Sequence, residues 1–297
     1  PIYPDTQRRP WQIRLGLSLY ALLGNLHRYA RFQKIEGSYL ADKDGLRTTH
    51  LQRLYQYWDA QTDDAALTRA VMRSAESLGA SLQCPAQVLS ITEGAQGYTV
   101  RVEQSGTTQT YTCRTLVNAA GPWVNQVLAR ITPPPRTLAI DRVQGTHIVV
   151  DAPAPSGIYY VEAPQDRRAV FVMPWQGMTL IGTTETPFVD GDPASVQPRQ
   201  EEIDYLLQVY AHYFPERGGA LRESFAGLRV LPKQAEAFFN RPRDTVIHVD
   251  PSQPGLLTLY GGKLTAYRAT AEAVMKRLQP HLPRRKKGVD VRSLELR

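Results

Sequence analysis

The sequence predicts a mixed fold, α/β in its earlier part and α+β in its later part, with interwoven segments and no clean boundary. Two strand–glycine–helix junctions give the first indication. Leu116-Val117-Asn118-Ala119-Ala120-Gly121-Pro122-Trp123 and Tyr260-Gly261-Gly262-Lys263-Leu264-Thr265 each couple an apolar run to a helical pattern. The second is a strand-rich stretch over residues 86–117, punctuated by Gly94, Gly97 and Ser105-Gly106. The third is a change at Arg142 to longer β segments, interrupted by one amphipathic helix.

Residues 11–31 carry apolar side chains at 13, 15, 17, 19, 20, 22, 23 and 26 amid Arg14, His27, Arg28 and Arg31. They read as a helix with a wide apolar face, packed on the protein body; a basic helix lying on a membrane surface is the second reading. Asp63-Asp64 cap another helix, which runs to Leu78 and stops at Gly79. Residues 86–92, 98–103 and 109–117 form a three-stranded antiparallel meander, and a short helix over 124–129 follows Trp123. Strands at 145–150, 158–161, 169–173 and 179–182 come next. Asp166-Arg167-Arg168 makes a hairpin turn among them, and Asp190-Gly191-Asp192-Pro193 ends the run. Helix 200–214 places Ile203, Leu206, Leu207, Tyr210 and Phe214 on one face. Strands at 224–231, 245–249 and 256–259 precede a last helix over 265–278, and Arg284-Arg285-Lys286-Lys287 mark a solvated basic tail.

At 297 residues, 42 % hydrophobic and 21 % charged, the chain can bury a sizeable core and is not of disordered composition. Cys84 and Cys113 are its only cysteines, with no CxxC pair and no neighbouring histidine cluster. That argues against a disulfide framework and against a metal site, and fits a reducing compartment. The net charge of +7 suits an anionic substrate or an anionic membrane face as well as a plain solvated surface. Nucleic acid is set aside, because aromatic and basic residues do not interleave. No stretch of 18 apolar residues occurs and no signal peptide is expected. The chain opens on Pro1 without a methionine, as a processed or shortened chain would.

The chemistry is expected at the two glycine junctions. A strand ending in Asn118, Ala119, Ala120 and Gly121 lets a planar or phosphorylated ligand approach the backbone, and the following helix start aims free N–H groups at it. A tight structural turn explains the same pattern. At the second junction Gly261 and Gly262 permit close approach and Lys263 adds a positive charge. The spacing is not that of a P-loop.

Together with other segments, these residues resemble the FAD-dependent glycerol-3-phosphate dehydrogenase family, within the D-amino-acid-oxidase-like flavoproteins. The likeness runs through Arg14-Leu15-Gly16-Leu17, Tyr20, Leu23-Gly24, Asp59, Asp63-Asp64 and the Asn118–Trp123 turn. It continues through residues 144–150, 166–175, 180–185, 191–193 and 202–207, then Ala226-Gly227-Leu228-Arg229, residues 261–265 and Tyr267-Arg268. It implies an FAD-binding domain of Rossmann type over 1–130 and 256–280, a mixed-sheet substrate or cap domain over 131–255, and a basic tail over 281–297. The family's opening strand and G-x-G-x-x-G turn, which hold the FAD pyrophosphate, do not occur in this sequence, and by the resemblance its C-terminal helical domain is expected to be absent or cut short.

The resemblance also assigns roles. Asn118, Ala119, Ala120, Gly121, Trp123, Gly262, Lys263, Leu264 and Thr265 would line the flavin or its ribityl chain, and Val88 would offer backbone groups to the adenine. Arg229 and Arg243 would bind the substrate phosphate and hydroxyls, as a guanidinium fork suits a phosphate. Arg241 competes with Arg243, and residues 228–232 depart from the usual Val-Arg-Pro-Leu. His147 would take the C2 hydroxyl proton, and Lys263 would instead stabilise the reduced flavin or hold the substrate alkoxide; the sequence leaves open which of the two is the base. Gly182-Thr183-Thr184 would pack beside the site. The implied activity is oxidation of glycerol 3-phosphate to dihydroxyacetone phosphate, with electrons passed to quinone by a cytoplasmic enzyme peripheral on the inner membrane. An O₂-using oxidase and a non-catalytic remnant are the alternatives, and a homodimer is left open.

Overall fold

The computed structural model describes residues 1–36, 44–189, 191–233, 244–284 and 290–296. Its elements follow in chain order. Helix α1 (Pro10–Leu23) precedes the paired strands β1 (Phe32–Ile35) and β2 (Leu54–Tyr57). Helix α2 (Asp64–Ser77) begins at Asp63, whose side chain accepts from the Ala66 N–H at 2.8 Å, as an N-cap should. Then come β3 (Gln87–Gly94), β4 (Gly97–Gln104), β5 (Thr107–Cys113), β6 (Leu116–Asn118), helix α3 (Val124–Leu128) and β7 (Ile131–Thr132). The later part contains β8 (Ile140–Val150), β9 (Tyr159–Glu162), β10 (Ala169–Trp175), β11 (Met178–Gly182) and β12 (Thr186–Pro187). Helix α4 (Gln200–Tyr213), β13 (Leu221–Pro232), β14 (Val246–Val249), β15 (Leu256–Tyr260) and helix α5 (Tyr267–Leu278) complete it.

The chain divides into two compact units. Pro1–Gln61 with Gln144–Leu228 form one, and Thr62–Val143 with Arg229–Arg297 form the other. In the first, the sheet order is β12-β8-β11-β10-β9, with β13 also paired to β8. One face of that sheet, carrying Ile148, Val150, Val161, Val170, Val172 and Ile181, packs against the apolar face of α4, with Ile203, Leu206, Val209, Tyr210 and Tyr213. These buried branched and aromatic side chains are what holds the unit together. Ile203, Leu206, Tyr210 and Phe214 of the foreseen face are buried. Leu207 is only half-buried, and Val209 and Tyr213 take its place in the core, so the buried face is turned from the one expected.

In the second unit β3, β4 and β5 make the expected antiparallel meander, with β7 added parallel to β3. A separate sheet has the order β14-β15-β6, with β15 and β6 parallel. Leu257 on β15 joins Val274 and Leu278 of α5 in a small apolar cluster.

Four further expectations on the elements need correction. The helix expected over 11–31 stops at Leu23. Gly24 caps it, and Asn25 and Leu26 follow with positive φ, so the chain turns away before a 3-10 turn at Arg28–Ala30. Nor is that helix packed: only Ala21 is buried, and Trp11, Leu15 and Leu23 remain 66 %, 63 % and 76 % exposed. Its apolar residues recur at every second position from 13 to 19 and then at 20, 22 and 23, which spreads them around the helix instead of stacking them on one side. The strand expected over 109–117 is two strands in different sheets, because β5 pairs with β4 whereas β6 pairs with β15. Finally, helix α5 starts at Tyr267, after a 3-10 turn at Leu264–Ala266.

Candidate functional site

Both glycine junctions leave the same edge of one sheet. β6 and β15 run parallel, with Leu116 opposite Leu256, Val117 opposite Leu257 and Asn118 opposite Thr258. The chain therefore exits both strands side by side at their carboxyl ends. At the first exit the buried Asn118 donates from Nδ2 to the Val124 carbonyl at 2.9 Å and accepts from the Ala120 N–H at 3.2 Å. Its amide closes the turn from within, which leaves Ala119 and Gly121 facing outward.

At the second exit Gly261 and Gly262 take φ values of +69° and +111°. A Cβ on Gly261 would lie 3.2 Å from the Asp244 carbonyl oxygen, and one on Gly262 would lie 2.7 Å from Thr245 Oγ1. Sterics and backbone conformation thus both require glycine here. Lys263 and Leu264 follow, exposed, at the head of the turn that leads into α5.

The two exits share one groove of about 650 Å³, lined by Val117, Ala119, Gly121, Leu259, Gly261, Gly262, Lys263, Leu264 and one side of α5. Its floor is small residues and backbone, its walls are largely apolar, and Lys263 is the one charged residue among the described residues that line it. A flat, mostly apolar ligand with an anionic edge suits such a slot. Ala119, Gly121, Gly262, Lys263 and Leu264, all singled out in the sequence, meet here. Asn118 acts inside the turn. Ala120, Trp123 and Thr265 belong to the same turns without lining the groove, and Val88 lies on β3 against the apolar core of its unit.

Sequence reasoning gave no groove role to Thr245, Leu259, Tyr267, Thr270, Ala271, Val274 and Met275, which line it. The spacing of Tyr267, Thr270, Ala271 and Val274 is one helical face and was readable. Thr245 carries no local signal; the pairing of β14 with β15 brings it in.

His147 lies half-buried on β8 in the other unit, opposite Gly182 of β11. Its ring stacks on Phe225, with centroids 5.3 Å apart and planes 10° from parallel. A Cβ on Gly182 would come 2.7 Å from His147 Cγ and closer still to Cδ2, so the imidazole occupies the space that glycine leaves. Arg229 sits half-buried on β13. Arg243, and its competitor Arg241, lie outside the described residues.

Glycine turns at the carboxyl ends of adjacent parallel strands, each opening into a helix start, are the arrangement by which α/β proteins hold nucleotide cofactors. The FAD dependent oxidoreductase (DAO) family matches residues 4–268, and the chain belongs to that family. The glycerol-3-phosphate dehydrogenase of Pseudomonas aeruginosa is 33 % identical over 287 residues, covering 92 % of this chain and 54 % of that protein. The D-erythritol 1-phosphate dehydrogenase of Brucella abortus is 32 % identical over 290 residues, covering 93 % and 56 %. Among solved structures, the glycerol-3-phosphate dehydrogenase from Bacillus halodurans complexed with FAD superposes with a TM-score of 0.68 at 30 % identity, covering 82 % of this chain and 48 % of that one. The chain spans about half the length of the curated relatives it matches. The family resemblance and the mixed fold class expected from the sequence are both borne out.

Proposed function

We propose that this chain is the core of an FAD-dependent enzyme that oxidises a polyol phosphate, glycerol 3-phosphate first, to the corresponding ketone. The observation that carries the reading is the meeting of both glycine turns in one apolar groove beside Lys263. The groove's backbone floor, apolar walls and single ammonium fit the flavin ring, with Lys263 beside an anionic edge. Ala119, Gly121, Gly262, Lys263 and Leu264 would hold it. When bound, FAD supplies the acceptor for the hydride that leaves the substrate carbon. His147 is assigned the hydroxyl proton, and its fixed stack on Phe225 supports that role by orienting the ring. Arg229 is assigned the phosphate.

Quinone is the proposed electron acceptor, met at an anionic membrane face on the cytoplasmic side. The exposed apolar residues of α1, with Arg14, Arg28 and Arg31 around them, support a peripheral attachment. Among the described residues no helix is long and apolar enough to cross a membrane. D-erythritol 1-phosphate is the second substrate reading, because the Brucella abortus relative is as similar as the Pseudomonas aeruginosa one to within a percentage point.

The test is the visible spectrum of the purified chain with FAD, before and after anaerobic addition of each polyol phosphate. Flavin bands that bleach with one of the two support the reading and choose the substrate. Bound flavin that neither compound bleaches would overturn it.

A further inference from the structure

The first unit buries a carboxylate that the proposed chemistry does not use. Glu202, three residues into α4, is 5 % exposed, and five donors converge on it. Its Oε1 accepts from Thr184 Oγ1 at 2.7 Å and Thr186 Oγ1 at 2.6 Å. Its Oε2 accepts from Gln144 Nε2 at 2.5 Å, Thr146 Oγ1 at 2.7 Å and the Arg199 N–H at 3.2 Å. Three hydroxyls, an amide and a backbone N–H surround the carboxylate, and none of these five donors is a charged group. Burial alone would push its pKa up, but the hydroxyl and backbone hydrogen bonds outweigh burial and hold it below the ordinary value. A charge buried in this way is costly, so the fold retains it for the groups it ties together.

Those groups are two neighbouring segments. Gln144 and Thr146 lie on β8, Thr184 lies two residues past the end of β11, and Thr186 opens β12, which pairs with β8. The Thr146 N–H also donates to Thr184 Oγ1 at 2.9 Å. His147 follows Thr146 immediately and, by strand alternation, points to the opposite face, over Gly182. One carboxylate therefore ties β8 to the segment that follows Gly182, on the face of β8 opposite the imidazole. We propose that Glu202 is a positioning residue for His147, locking β8 and the 182–186 segment in the one register that lays the ring between Gly182 and Phe225. Its bearing on catalysis, but not on geometry, rests on the role assigned to His147 above.

The experiment separates the two. The His147 Cε1–H resonance of the folded chain, assigned by its loss in His147→Gln, carries a ring-current shift from the stacked Phe225. That shift is read in the wild type and in Glu202→Gln, Glu202→Asp and Thr186→Val, with Phe225→Leu marking the unstacked limit. Thr186→Val removes a single half-buried hydroxyl and keeps the variant set usable if a Glu202 substitution fails to fold. The expected result is movement toward the unstacked limit, largest for Glu202→Gln and smaller for Glu202→Asp and Thr186→Val. In the FAD-loaded enzyme, kcat is expected to fall about ten- to a hundredfold in Glu202→Gln with KM changed far less, as for a misplaced catalytic group. A His147 resonance unmoved in every folded variant overturns the positioning role. A moved resonance with unchanged kcat upholds it and removes His147 from the catalytic set.

Discussion

Gly262→Ala is the sharpest probe of the groove. At φ +111° an alanine is strained by about 1–3 kcal/mol. Its Cβ would also stand 2.7 Å from Thr245 Oγ1, so Thr245 must yield by several tenths of an ångström. Thr245 is not free to do so without loss, because its hydroxyl lies 3.2 Å from Thr270 Oγ1 on α5. Crowding of this kind costs about 1–3 kcal/mol more, which puts the whole effect at about 2–6 kcal/mol. The two contributions separate in a double-mutant cycle. Thr245→Ala removes the obstructing oxygen at its own cost of about 1 kcal/mol for the lost hydrogen bond, and leaves the backbone strain untouched. Adding it to Gly262→Ala should recover about 1–3 kcal/mol relative to the sum of the single variants. Urea unfolding followed by tryptophan fluorescence supplies the free energies, and FAD titration of each variant reports whether the groove is distorted in parallel. A Gly262→Ala loss under about 0.5 kcal/mol, or strictly additive variants, would refute the crowding argument.

Gly182→Ala should push the His147 ring off Phe225, since the new methyl would occupy the imidazole's place; a destabilisation of about 1–3 kcal/mol is expected by urea unfolding, and Gly182→Ala with His147→Ala should recover part of it. Arg229→Ala in a catalytically competent version of the enzyme should lose about 2–5 kcal/mol in kcat/KM for glycerol 3-phosphate, and an unchanged kcat/KM would remove the arginine from phosphate binding. Asp250 accepts from the Arg136 N–H at 2.6 Å and from the Ser252 N–H and Oγ at 2.9 Å and 2.8 Å, and these bonds hold its pKa down at about 2 against an ordinary 3.8. A depressed carboxyl contributes its stability in full above the unfolded value and loses it as pH falls toward the folded one. Wild-type stability should therefore drop more steeply than that of Asp250→Asn between pH 4 and 2, and equal slopes in acid unfolding would count against the assignment.

What could be read in advance divides along physical lines. The glycine junctions were legible because the signal is local: an apolar run, residues without bulky side chains, then a helical pattern, all within ten positions. Most of the buried face of α4 was legible for the same reason, though not Val209 and Tyr213. The split between β5 and β6 was not. No glycine or proline interrupts Cys113-Arg114-Thr115-Leu116, and the break exists only because β6 pairs with a strand about 140 positions later. Thr245 enters the groove through that same long-range pairing. Glu202 shows a subtler limit. An acid in the first turn of a helix reads as a favourable charge for the helix dipole, and its role as a cap for Arg199 agrees with that. Nothing near it in sequence indicates that threonines 16, 18 and 56 positions away would aim their hydroxyls at the same carboxylate.

The contrast between the two kinds of site also bears on substrate choice. In the groove the floor that would face the flavin is mostly backbone: glycines in left-handed conformation, a parallel register and a turn closed by Asn118. Such a surface tolerates sequence change wherever the small residues persist, and it fits a cofactor whose ring is the same throughout a family. In their proposed roles His147 and Arg229 would be different, for each would act through one side chain whose reach depends on its neighbours. On the proposal made here, two relatives named for different polyol phosphates should then resemble this chain almost equally, at 33 % and 32 % identity. The shared sequence would be spent on the fold and the cofactor, while the polyol is chosen by a handful of side chains around the phosphate and the reacting hydroxyl. Overall identity therefore carries little information on the substrate. The bleaching experiment with both compounds addresses that choice directly, because it reads the few residues on which the difference depends.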